Sequence, residues 1–445
     1  MVKIYKPKNA KALDKQTLQL TIERLDINGD GVARHQGKPV FVSNALPLEV
    51  VEAKVIEQKS KYLRADSKKI LTSNAQRVSP ECRHFYQCGG CNLQHLEYQA
   101  QLDFKQQKVS ELFRRNTKLE QLPWQAPLVA KPWHYRRKAR IGVQYDRQGQ
   151  VTLGFRKKQS NVLTPIKQCL VLPQDVSDVF VPLQQVLQKI SPSKAIGHCE
   201  FIAADRNVLV LRTLKKLPAK SIALLSEFGQ QQQLQIILQD EQGISTLDGE
   251  DVADLWFQMH GCQLSFSHND FLQVHGELNA TMVQQAISWL ALEQDDRVVD
   301  LFCGFGNFSV PMAKQCQQLV GVEGVDSMVE RAQKNAEAND LRHCDFFQAD
   351  LNDENVPWPW LEQYPVGHFN KLLLDPARAG APGAIKRIVS MAPELIVYVS
   401  CDAATMSRDS DELLNNGYRL EKIALMDMFA QTRHVETMAL FVKNK

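Results

Sequence analysis

The chain has 445 residues, 44% of them hydrophobic, with a formal net charge of +3. That is more than one hydrophobic core normally serves, so two or three domains are expected. Met1–Lys8 carries no apolar leader, no apolar run reaches bilayer length, and ten cysteines in such a chain do not read as a disulfide scaffold, so a cytoplasmic protein without membrane contact is expected.

Residues 17–71 alternate apolar and polar positions over 18–25, 38–42, 48–55 and 62–66, with a strong turn at Asn28-Gly29-Asp30-Gly31. Short strands so closely spaced predict a small β-barrel. Three cysteines follow within 82–91, and apolar positions at helical spacing predict a helix over 94–115. Residues 124–273 read as β-rich α+β structure, with a hairpin of 135–143 and 151–156. Lys131, Arg136, Arg137, Lys138 and Arg140 crowd one window there, a candidate phosphate footprint or a solvated face. From about Leu278 strands at 297–302, 318–323, 344–349, 370–375 and 395–400 alternate with helices such as 327–339 and 384–392. Such alternation predicts a doubly wound parallel sheet that binds ligands beyond its strands' carboxyl ends. The domain division is set at 1–75, 76–277 and 278–445.

Asp300 ends the first strand of that sheet, and Gly304 and Gly306 follow in a tight loop. Glycines there let the backbone approach a ligand closely. Glu323 ends the second strand and can accept from both hydroxyls of a ribose; Asp350, after the third, can reach an adenine amino group. No third glycine and no phosphate-binding lysine accompany the loop, which favours S-adenosyl-L-methionine over a dinucleotide. The segment 300–308 resembles the first motif of class I methyltransferases.

Asp375 and Cys401 end the fourth and fifth strands, both at the ligand edge. A helix starting near Ala403 is expected to lower the Cys401 thiol pKa. A thiolate beside a methyl donor suits a pyrimidine. Addition at C6 makes C5 nucleophilic, and a base must then remove the C5 proton. Glu436 is the candidate base, with His434 competing. Cys82, Cys88, Cys91 and the distant Cys169 offer four thiolates, suited to zinc or to an iron–sulfur cluster. Cys199, Cys262, Cys303, Cys316 and Cys344 read as core or bystander residues.

Together, Phe271-Leu272-Gln273-Val274, Asp300 to Phe308, Asp375-Pro376-Ala377-Arg378-Ala379-Gly380, Val399-Ser400-Cys401 and His434-Val435-Glu436 resemble the S-adenosylmethionine-dependent RNA uracil-5 methyltransferases. The resemblance implies an α/β fold: a C-terminal class I, Rossmann-like methyltransferase domain, an N-terminal TRAM or oligonucleotide-binding barrel, and a central α+β domain carrying an iron–sulfur site. It implies that Gln273, Phe302, Asn307, Glu323, Asp350 and Asp375 line the cofactor site, with Cys401 as nucleophile and Glu436 as base. It also implies a [4Fe-4S] cluster on Cys82, Cys88, Cys91 and Cys169. The joint presence of barrel and cysteines is most similar to the branch acting on 23S ribosomal RNA, free or in an assembling large subunit, and a monomer is expected. A transfer-RNA methyltransferase, an iron–sulfur redox or radical enzyme and a non-catalytic RNA-binding module are the alternatives. Two positions depart from the family's pattern: Asp402-Ala403 stands where Asn-Pro is common, and His275 where Asn is common. Asp402 is expected to raise the Cys401 pKa slightly by repulsion.

Overall fold

The computed structural model describes residues 16–444, so the reading of Met1–Lys8 lies outside it. The chain forms two compact units. One runs to Lys108 and includes Gln431–Arg433; the other takes Val109–Ala430 and the chain from His434.

In the first unit the alternation over 17–71 becomes six strands: β1 Thr17–Thr21, β2 Arg24–Leu25, β3 Gly31–His35, β4 Lys38–Ser43, β5 Val50–Gln58 and β6 Leu63–Thr72. Their order is β1-β5-β6-β4-β3-β2. The edge strands β1 and β2 are consecutive in the chain, with only Ile22 and Glu23 between them, so the sheet curls back on itself as a barrel. Leu18, Leu20, Val40, Val42, Val51 and Ala53 fill its interior. Strand β3 was not legible in the sequence. It emerges from a turn in which the Asp26 carboxylate accepts the Asn28 and Asp30 N–H groups, each at 2.8 Å. Strand β5 starts at Val50, not at 48, because Leu48 turns the chain at φ 64°. After the barrel comes an irregular stretch that holds the three clustered cysteines. Helix α1, Tyr98–Thr117, starts later than expected because Gln94 serves that stretch, its side chain accepting from the Cys82 N–H.

The second unit holds a mixed sheet of β7 Lys138–Tyr145, β8 Val151–Arg156, β9 Leu163–Pro165, β10 Ile196–Ala203, β11 Asn207–Thr213, β12 Gln235–Gln239 and β13 Ile244–Thr246. It is ordered β13-β12-β11-β10-β7-β8-β9 and includes the expected β7–β8 hairpin. Helices α2 Gln174–Asp178, α3 Phe180–Lys189 and α4 Ala219–Gln232 belong to the same stretch of chain, and the pair β14 Leu255–Met259 and β15 Cys262–Phe266 follows.

The doubly wound part comprises α5 Gly276–Leu290, β16 Arg297–Leu301, α6 Ser309–Ala313, β17 Gln318–Glu323, α7 Asp326–Ala338, β18 Cys344–Gln348, β19 Lys371–Leu374, α8 Pro382–Met391, β20 Leu395–Ser400, α9 Ala403–Asn415, β21 Tyr418–Met426 and β22 Glu436–Lys443. The order is β18-β17-β16-β19-β20-β22-β21. The first five strands run parallel, and β22 lies antiparallel between β20 and β21. Strand order reverses between β16 and β19, which opens a crevice at their carboxyl ends. Cys199, Cys262, Cys303, Cys316 and Cys344 are buried, the core reading of the two the sequence left open. Among the described residues no helix is long and apolar enough to cross a membrane.

Candidate active site

The crevice is built from the ends of the parallel strands. Strand β16 stops at Leu301 because Phe302 adopts φ 63°, and Gly304 and Gly306 continue the turn at 56° and 92°. Asp300 is fully buried. One carboxylate oxygen accepts the Ser309 hydroxyl, and the other, Oδ1, has no protein partner. Burial pushes its pKa up to about 8. Glu323 is tied to the loop it was expected to serve. Its Oε2 accepts the Gly304 N–H at 3.1 Å and its Oε1 the Val325 N–H at 3.0 Å, and each oxygen keeps a lone pair for another donor. Asp350 is exposed and lines an open, acidic cavity with Asn352, Asp353, Glu354, Pro382 and Gly383, to which no other expected cofactor residue contributes.

Asn307 and Asn279 exchange two amide hydrogen bonds, at 2.9 and 3.0 Å. Asn335 accepts from the Ser265 N–H and donates to the Ser265 and Phe305 carbonyls, fastening the glycine loop to β15. Gln273 is buried, and its carbonyl accepts from Arg137 Nε at 2.8 Å. Sequence reading singled out neither Asn279 nor Asn335. Their only signal was a polar residue on an otherwise apolar helix face.

At the other side of the crevice, Asp375 follows β19 and Cys401 follows β20. Ser400 pairs with Thr437, so the next position across the ladder brings Cys401 and Glu436 together at the sheet's edge. Glu436 is buried whereas His434 is exposed, which favours Glu436 as the base. Burial lifts the Glu436 pKa to about 7, while Arg378 pulls it down. Asp375 is held well above the ordinary carboxylate range, by burial and then by Glu436. Tyr398 and the Ala381 N–H both donate to Asp409, at 2.7 and 2.8 Å, pinning the loop that carries Asp375 and Arg378.

The Cys401 thiol is pushed up to about 11, not down: burial contributes most, followed by the Glu436 and Asp375 charges, and Arg378 only partly offsets them. The helix N-terminus therefore loses to desolvation and two acids. Asp402 is not among the groups that raise Cys401. Its carboxylate caps α9 by accepting the Ala404 and Thr405 N–H groups. His275 likewise caps α5 through Nδ1, and it stacks on Tyr135 at 4.9 Å. Both departing side chains thus act as helix caps in this chain.

The basic window divides. Lys138 donates to the His268 and Asp270 carbonyls, and Arg137 is drawn in over Phe257 at 4.5 Å, where burial lowers its pKa to about 10. Those two serve the fold, while Lys131 and Arg140 stay exposed. Among the described residues no group of three or more His, Cys, Asp or Glu stands in metal-holding geometry. Cys82, Cys88 and Cys91 lie in the first unit and Cys169 in the second. The Cys88 sulfur accepts the Gly90 N–H at 3.4 Å.

The doubly wound sheet with its glycine loop and acid-tipped second strand defines a Rossmann-like, S-adenosylmethionine-dependent methyltransferase fold, preceded by a TRAM domain matched over residues 11–68. Within that class, the chain belongs to the tRNA (uracil-5-)-methyltransferase family, whose model matches residues 97–444. It is 44% identical to the 23S rRNA (uracil(1939)-C(5))-methyltransferase RlmD of Colwellia psychrerythraea, over 98% of this chain and 97% of that protein. It is 42% identical to the protein of the same name from Shewanella baltica, over 99% and 98%. Its fold matches the Pyrococcus abyssi tRNA (uracil-54, C5)-methyltransferase, crystallised with S-adenosyl-L-homocysteine, with a TM-score of 0.72 at 21% identity, over 96% of this chain and all of that one.

Proposed function

We propose that the protein methylates C5 of a uracil in 23S ribosomal RNA, at uridine 1939, the position printed in its relatives' names. The observation that supports the chemistry is the β20–β22 register, which sets Cys401 beside Glu436 with Asp375 and Arg378 at the same edge.

The residues at the loop fit a nucleoside cofactor: Glu323 keeps free lone pairs, and Gly304 leaves open space for close approach. Gln273, Phe302, Asn307, Glu323, Asp350 and Asp375 would hold it. S-adenosylmethionine, when bound, supplies the electrophilic methyl group that C5 takes. Cys401 forms the C6–S bond, its thiol proton passing to the ring oxygen O4, and C5 gains enol character. O4 releases that proton as the methyl arrives. Glu436 then takes the C5 proton, the C5–C6 double bond re-forms, and the C6–S bond breaks to return Cys401. The target base must leave its stack to reach both groups. The barrel within division 1–75, built from Thr17–Thr72, and the exposed Lys131 and Arg140 would hold the surrounding RNA, with 76–277 and 278–445 carrying the remaining work, in a monomer.

We also infer that Cys82, Cys88, Cys91 and Cys169 hold a [4Fe-4S] cluster. Four thiolates suit zinc and a cluster alike, and the support for the cluster over zinc is the family resemblance. No step of the methylation passes through it. Iron and acid-labile sulfide in anaerobically purified protein test this; zinc in their place would reject it.

Tritium release from [5-³H]uridine-labelled RNA tests the reaction. Cofactor-dependent release from 23S RNA and none from transfer RNA is expected. Release from transfer RNA alone would overturn the substrate, and no release from either would overturn the chemistry.

A further inference from the structure

The segment just before the base is gripped by a different part of the chain. Gln431–Arg433 belongs to the first unit, although the residues on both sides of it belong to the second. A dense set of hydrogen bonds holds these three residues. The Gln431 carbonyl accepts the Asn92 and Leu93 N–H groups, both at 3.1 Å. The Gln431 side chain accepts from Gln101 Nε2 at 3.0 Å, and its N–H donates to Gln101 Oε1 at 3.2 Å. The Arg433 N–H donates to Asn92 Oδ1 at 2.7 Å, its guanidinium to Asn28 Oδ1 at 2.7 Å, and its carbonyl accepts Lys108 Nζ at 3.3 Å. Gln431 and Thr432 are buried, and Gln431 turns the chain at φ 67°.

So dense a clasp on an irregular segment needs a reason, because a turn of this kind ordinarily satisfies its backbone with water. Glu436 lies three residues beyond Arg433 and opens β22. Three residues span at most about 10 Å, so fixing Arg433 narrows where the chain can enter that strand.

We propose that Asn92 is a positioning residue for Glu436: with Gln101 and Lys108 it clasps 431–433 and so sets the base for removal of the C5 proton. Asn92 directly follows Cys91, so whatever fixes Cys91 also fixes the start of the clasp. This gives the cysteine stretch a part in the reaction besides any contact with RNA. The proposal rests on the reading of Glu436 as base.

That dependence shapes the test. A poorly placed base leaves the earlier steps intact and slows only elimination, so methylated RNA stays covalently bound to the protein. The experiment follows kcat, KM for S-adenosylmethionine, and the protein–RNA adduct on denaturing gels, for Asn92→Ala, Lys108→Met, Asn92→Asp and Glu436→Gln in the full chain. Asn92→Ala and Lys108→Met are expected to lower kcat at least tenfold with KM for the cofactor unchanged, and to accumulate adduct. Asn92→Asp, which keeps an acceptor for the Arg433 N–H, is expected to recover most of the loss. Glu436→Gln is the reference for adduct accumulation. If Glu436→Gln fails to accumulate adduct, the base assignment fails. If it accumulates adduct and neither clasp variant does, the positioning role is overturned. A fall in cofactor binding equal to the fall in kcat would also overturn it, since a general loss of structure would then explain the effect.

Discussion

Ser400 and Thr437 face each other across the β20–β22 ladder, and this one register joins the thiol after one strand to the carboxylate that opens the other. An antiparallel ladder has a side-chain period of two, so a slip of one residue would send Glu436 to the opposite face. Buried strands on both sides, fixed by Val397, Val399, Met438 and Leu440, specify the register strongly.

The crevice concentrates acids that burial holds partly protonated, and this should cost stability. Glu436 rises from an ordinary 4.5 to about 7. Between those values the folded state keeps a proton that the unfolded chain has lost, so stability falls as pH rises through that window and is level above it. Glu436→Gln is therefore expected to be more stable than the parent at pH 8, by about 3 kcal/mol, with the gain gone at pH 4. Denaturant unfolding at both pH values measures it. A less stable variant at pH 8 would contradict the assignment.

His275 makes the opposite prediction on the acid side. Burial lowers its pKa below the usual 6.5, and its Nδ1 must be unprotonated to cap α5. Its contribution is present above 6.5 and is lost as pH falls through the lowered folded value. His275→Asn keeps an acceptor and is expected to flatten stability between pH 7 and 5. His275→Ala is expected to cost about 1 kcal/mol at pH 7.5.

Asp402 acts as a cap and not as a brake on the thiol. Asp402→Asn is expected to leave the pH dependence of Cys401 alkylation unchanged and stability nearly so. Asp402→Ala should lose about 1 kcal/mol of stability. A clear drop in the alkylation pKa of Asp402→Asn would restore the repulsion that the sequence suggested.

Arg378 lowers the pKa of both Cys401 and Glu436. Activity that needs Glu436 ionised should rise with pH through about 7. Replacing Arg378 by Met is expected to move that acid limb of kcat/KM to higher pH and to slow thiol alkylation at pH 8. An unmoved limb would separate Arg378 from the base.

Much of the layout was legible because it is written in local pattern. The alternating strands and helices after Leu278 marked the sheet, and Asp300 to Phe308 marked its ligand loop. Cys401 could be placed because strand ends in a parallel sheet share one edge, and Glu436 because it stands just before the last apolar strand in a segment that resembles the family's. The burial of the crevice groups was not legible. A helix start is visible at Ala403, but the desolvation and the two neighbouring acids that outweigh it depend on the folded crevice. Asn279 and Asn335 look like polar interruptions until their partners, Asn307 and Ser265, are brought across from other elements. The clasp on Gln431 joins residues 330 positions apart, and no periodicity in either segment announces it.

The most direct test of the covalent route uses RNA containing 5-fluorouridine at the target, because fluorine at C5 cannot be removed as a proton. With S-adenosylmethionine present, the wild-type protein should form a methylated protein–RNA complex that survives denaturation, and Cys401→Ala should form none while still binding cofactor. An equal yield of complex from Cys401→Ala would contradict attack by that thiol.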